Sequence, residues 1–143
     1  MMVKFGSQAN EKGGKTMEKN FLKICSFYVS DWHLTAMLLP FVEEQVEKNE
    51  NLHTIFQKNI VHNMKEILSR IKIKQSKKEE IINIGWKNKN LLKYNDVRKF
   101  MEKVTRNQKR VTIIVEGNKE RIESINKNIE KWIQKQEKKI VRK

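Results

Sequence analysis

Residues 22 to 29, Leu-Lys-Ile-Cys-Ser-Phe-Tyr-Val, carry no charge after Lys23 and consist mainly of apolar, aromatic and β-branched side chains. Such a run predicts a strand buried on both faces. From Leu34 onward the apolar residues Met37, Leu38, Phe41, Val42 and Val46 follow at helical spacing. That stripe predicts a helix capped by Ser30 or Asp31, with Pro40 kinking it or opening a second segment. Asn51–Phe56 reads as a second strand, and Ile60, Met64, Ile67, Leu68 and Ile71 mark the next helical face. Residues 72 to 80 read as a loop or a fraying helix end, residues 81 to 86 (Ile-Ile-Asn-Ile-Gly-Trp) as a third strand, and Val97, Phe100, Met101 and Val104 as a short helix. Residues 110 to 117 form the clearest strand pattern, closed by Gly117-Asn118. Ile122, Ile125, Ile129, Trp132 and Ile133 then stripe a final helix whose polar side holds Glu123, Lys127 and Lys131.

Strand and helix thus alternate four times, and the predicted fold class is α/β: a small three-layer, Rossmann-like domain with a mainly parallel four-stranded sheet and helices on both faces. Residues 1 to 20 hold Gly6, Gly13 and Gly14, little apolar content and an internal Met17, and read as a flexible arm. The domain is expected over residues 21 to 137, with a basic tail at 138 to 143 whose Lys-Lys-Ile-Val resembles the start of a fifth strand.

A chain of 143 residues with 38% hydrophobic content supports one core. The absence of an apolar run near ~20 residues, and a start without a secretory signal, predict a cytoplasmic protein with no membrane contact. Cys25 is alone, so no internal disulfide forms, and its apolar surroundings favour packing over nucleophilic chemistry.

Charge is unevenly distributed. Of a net +14, residues 1 to 71 hold 9 basic and 8 acidic groups, whereas residues 72 to 143 hold 22 and 9. Clustered Lys and Arg attract polyanions and release counterions from phosphate backbones, so RNA or DNA is a candidate partner. Residues 72 to 78, 86 to 93, 106 to 110 and 138 to 143 supply the densest basic stretches, two of them beside Trp86 and Tyr94. No stacking signature of a known RNA module accompanies them.

Two further patterns concern small ligands. Residues 9 to 16, Ala-Asn-Glu-Lys-Gly-Gly-Lys-Thr, fit a loose phosphate-loop pattern in which Gly14, Lys15 and Thr16 would hold phosphates and Glu116 would hold a hydrated magnesium ion. Such a loop must join a buried strand to a helix, and the Met-Met-Val-Lys-Phe before it is a poor central strand. Under the predicted topology the carboxyl ends of the strands would gather Ser30, Asp31, Trp32 and His33, then Trp86, Lys87 and Asn88, then Asn118 and Lys119. These form a candidate rim for a small ligand, with Asp31 also suited to helix capping and the Trp rings to packing. His33, His53 and His62 lack ligand spacing, so no metal or other cofactor is expected.

Residues 23 to 50 resemble the opening of the MEDS sensory domain, a regulatory relative of the RecA-like ATPases, in Ile-Cys-x-Phe-Tyr, a Pro-Phe within the following helix, and an Asn-Glu before the next strand. The resemblance implies a sensing module without ATP hydrolysis and supplies no catalytic residues. Three functions follow, in order: a non-enzymatic regulatory or ligand-sensing domain with a small-ligand or protein partner, a nucleic-acid-binding accessory protein, and a nucleotide binder at residues 9 to 16.

Overall fold

The computed structural model describes the backbone of residues 2–9, 19–49, 51–91, 93–106 and 111–141, and side chains from residue 26 to residue 136 within those ranges. The elements follow in the order β1 (Met2–Ala9), β2 (Lys19–Ser26), α1 (Asp31–Glu47), β3 (Asn51–Phe56), α2 (Val61–Arg70), α3 (Gln75–Asn83), α4 (Tyr94–Thr105), β4 (Val111–Glu116) and α5 (Lys119–Val141). The strands make one four-stranded sheet of order β2-β1-β4-β3.

The sheet is mixed. β1 is antiparallel to β2 and to β4, and only β3 and β4 run parallel. This corrects the expected parallel, three-layer, Rossmann-like domain to a mixed sheet with five helices and a single parallel pair. Chain length between strands explains the difference. Parallel neighbours require a crossover of about a dozen residues or more, usually with a helix, whereas the nine residues between Ala9 and Lys19 suffice for an antiparallel return.

The expected arm also changes role, because residues 2–9 form an inner strand between β2 and β4. β2, which contains Cys25, stands at the sheet edge rather than at its centre. The registers align Ser26, Met2, Glu116 and Phe56 in one row, so the carboxyl ends of β2, β4 and β3 share one margin of the sheet.

Alternate residues of β4 serve two cores, as a two-residue side-chain period requires. Val111, Ile113 and Val115 pack with Ile55 against the apolar stripes of α4 and α5. Ile114 joins Leu52 and Phe56 in a second cluster with Leu34, Leu38 and Val42 of α1, Met64 and Leu68 of α2, and Ile81 of α3.

Residues 81 to 86 are not a strand. Ile81 to Asn83 complete α3, and the charged residues before them, expected to be a loop or a fraying helix end, form its first turns. Lys and Glu are good helix formers, and a short apolar run fits a buried helix face as well as a strand. Gly85, at φ 98°, ends this segment in a conformation that favours glycine. Trp86 then turns inward, 1% exposed, and its Nε1 donates to the Ile81 carbonyl at 2.8 Å. The Thr54 hydroxyl of β3 donates to the Gly85 carbonyl at 2.6 Å, fastening the same turn to the sheet.

At the other end, α5 runs through Val141, so residues 138 to 141 continue a helix instead of starting a tail or a fifth strand. α1 likewise passes through Pro40 as one helix. Among the described residues, no helix is long and apolar enough to cross a membrane.

Candidate functional site

The shared margin of strand ends is organised around Glu116. This side chain is 1% exposed, accepts from the Tyr28 hydroxyl at 2.5 Å and from the Lys58 backbone N–H at 2.8 Å. Its backbone carbonyl accepts from Gln57 N at 3.1 Å. Lys58 extends outward to pair with Asp31 at 2.8 Å, with its Nζ 5.2 Å from the centre of the Tyr28 ring. Burial, reinforced by the hydrogen bond and charge of Glu116, holds the Tyr28 hydroxyl well above the usual phenol range. Glu116 and Tyr28 therefore form a donor–acceptor pair in which the tyrosine keeps its proton.

Most of the predicted rim has local work to do. Ser30 caps α1 by accepting from His33 N at 3.0 Å, while His33 Nδ1 accepts from Val29 N at 3.0 Å, so the two residues brace the helix start reciprocally. Asp31 is held by Lys58, and Trp86 lies in the core. Asn118 caps α5 by accepting from Arg121 N at 2.8 Å, and Lys119 lies 3.9 Å from Glu123. Lys87 and Asn88 are exposed, with Asn88 bridging to Phe56 through its backbone. Trp32 is also exposed, as are Phe27 and Val29 ahead of α1. A groove of about 620 Å³ does exist, but it runs between α2 and α3 and shares no residue with the strand-end group.

Gly14, Lys15 and Thr16 lie outside the described residues. The elements on either side, β1 and β2, are both strands, whereas a phosphate loop leads from a strand into a helix. Glu116 does end β4 at the position expected of a metal-holding acid, with its two oxygens engaged by Tyr28 and Lys58.

The stronger electrostatic feature lies on the side of α4 and α5. Residues 31 to 83, which contain α1 to α3, hold 8 basic and 8 acidic groups, whereas residues 87 to 106 and 119 to 141, which contain α4 and α5, hold 14 and 6. Along the seam between the two helices, Lys131 and Lys135 of α5 place their ammonium groups 4.4 and 4.6 Å from the centre of the Tyr94 ring.

At the β3 edge of the same side, Lys89 Nζ lies 5.2 Å from the centre of the Phe100 ring, and the His53 imidazole meets that ring edge-on at 6.1 Å. Burial lowers the affinity of His53 for its proton, and the nearby charges of Lys89 and then Lys103 lower it further. Lys89 is shifted in the same direction by burial and then Lys103.

Arg121, which the sequence reading passed over, fixes the backbone of this segment. Its guanidinium donates to the Lys89 carbonyl, while Lys89 N donates to the Phe56 carbonyl at 2.8 Å. Only the proximity of Gly117-Asn118 to the start of a helix hinted at such a role in sequence. No protein-family model, no curated protein and no solved structure matches the chain.

Proposed function

We propose that this protein binds nucleic acid through the phosphate backbone, using the face built by α4, α5 and the segment that leads into α4. The observation that carries this reading is the contrast between the two helical sides, 8 basic against 8 acidic groups on one and 14 against 6 on the other. A solubilising charge needs no such segregation, whereas a polyanion surface does. Lys131 and Lys135, held over Tyr94, present two cations side by side on this face. Contacts of this kind position a backbone without selecting a sequence.

A small-ligand sensor at the strand ends has less support. Ser30 and Asn118 cap helices, His33 accepts from the Val29 N–H ahead of α1, Trp86 fills the core, and Asp31 is paired with Lys58.

The test is fluorescence anisotropy of labelled single-stranded and duplex oligonucleotides over a series of salt concentrations. Affinity should fall linearly on a double-logarithmic plot, with a slope of about −0.7 to −0.9 for each phosphate neutralised. Replacing both Lys131 and Lys135 by Met should reduce the magnitude of that slope by about 2. The same change at Lys65 and Lys78, on α2 and α3, should leave it unaltered. Failure to bind at the lowest salt, or equal effects of the two pairs, would reject the proposal.

A further inference from the structure

Two basic side chains from separate segments meet beside the Phe100 ring at the outer edge of the sheet, His53 from β3 and Lys89 from the segment after α3, and the charge of Lys103, which follows Phe100 by one turn on α4, acts on both. We infer that His53, Lys89 and Lys103 form a seat for one phosphate-type oxyanion beside Phe100. The seat deepens the proposed nucleic-acid reading when the oxyanion is a backbone phosphate, and a free phosphate or mononucleotide offers the same chemistry.

The arrangement is held in place before any ligand arrives. Lys89 is fixed at both backbone groups, its N–H to the Phe56 carbonyl and its carbonyl to Arg121, so its side chain starts from a set position. His53 is fixed through Asn51. The Asn51 amide nitrogen donates to the Val104 carbonyl at 2.9 Å, which turns its oxygen toward His53 Nε2 at 2.6 Å. Nε2 must therefore carry the hydrogen, and Nδ1 is the nitrogen that takes up a second proton.

Like charges brought together oppose folding, and a bound dianion removes that opposition. The charges that act on His53 and Lys89 are those of the other lysines in the group, and partial burial strengthens their mutual effect. An oxyanion would favour the imidazolium form, adding a third cation to Lys89 over the Phe100 ring and to the nearby charge of Lys103. Phe100 contributes an apolar wall that limits competing hydration.

The decisive measurement is an NMR titration of the His53 ring in the full chain, in chloride and in sulfate at matched ionic strength. Sulfate keeps its charge throughout the titration, and His33 and His62 serve as internal references. Sulfate should raise the His53 pKa by about one unit relative to chloride, a tenfold preference for the protonated ring. Replacing both Lys89 and Lys103 by Met should have two opposite effects: the value in chloride should rise because repulsion is gone, and the response to sulfate should vanish.

An identical His53 pKa in the two salts overturns the seat, as does a sulfate response that survives the double substitution. Repeating the titration with an oligonucleotide and with a mononucleotide separates the sources, since the arm that moves His53 identifies the phosphate bound. Oligonucleotide binding that leaves His53 unmoved in every arm would reject the seat while sparing the wider reading. A sulfate response in a chain that binds no oligonucleotide would do the reverse.

Discussion

Tyr28 joins two parts of the chain far apart in sequence, since its hydroxyl donates to the buried carboxylate of Glu116, 88 residues away. Burial and Glu116 both raise the pKa of the phenol, so the folded protein retains this proton at a pH where the unfolded chain loses it. An unfolded tyrosine ionises near pH ~10. The stabilisation linked to the raised pKa is therefore complete below about pH 10 and declines as the pH rises toward the folded value. Tyr28→Phe should cost about 1–3 kcal/mol at neutral pH, because Glu116 loses a donor in a buried place. It should also flatten the alkaline loss of stability, and urea unfolding at a series of pH values measures both effects. Parallel pH profiles for the two proteins would show that the hydroxyl is not held as described.

Among the elements, the turn between β4 and α5 leaves no room for a side chain at Gly117. A Cβ on Gly117 would lie 2.8 Å from Arg121 Cδ and 2.9 Å from Gln57 Oε1, while Gln57 Oε1 also accepts from Asn118 N at 3.0 Å. Gly117→Ala should cost about 1–3 kcal/mol by urea unfolding, since Arg121 must move and release the Lys89 carbonyl. Unchanged stability would mean that this turn opens without strain. Gly117-Asn118 is legible as a turn because both residue types favour one locally, and Ser30 and Asp31 are both legible as caps for the same reason, of which Ser30 takes the position. α1, β3, β4 and α5 were legible through their own apolar spacing. The run at 81 to 86 was not, because its four apolar residues suit either a strand or the end of a helix, and contact with Thr54 and the core selects the outcome. The grouping of His53, Lys89 and Lys103 was hidden for a different reason: no local pattern reports that three separate segments converge.

For the molecule as a whole, the placement of β1 sets the order of the sheet. Its first five residues pair with Gly6↔Thr112 through Met2↔Glu116, covering the side of β4 opposite β3. In sequence this segment looks like an appendage, because Lys4 and Gly6 interrupt its apolar content and strand pairing between distant residues leaves little local trace. Removing residues 1–9 would turn β4 into an edge and leave β2 without its neighbour. Each lost backbone hydrogen bond is worth about 0.5–1.5 kcal/mol net, so losing the β4 ladder alone would take several kcal/mol from a domain whose total stability is on the order of 5–15 kcal/mol. The shortened protein should therefore melt many degrees lower, or show no cooperative transition, in calorimetry and circular dichroism. Melting at the full chain's temperature would place β1 outside the structural sheet, and the order β2-β1-β4-β3 would have to be abandoned.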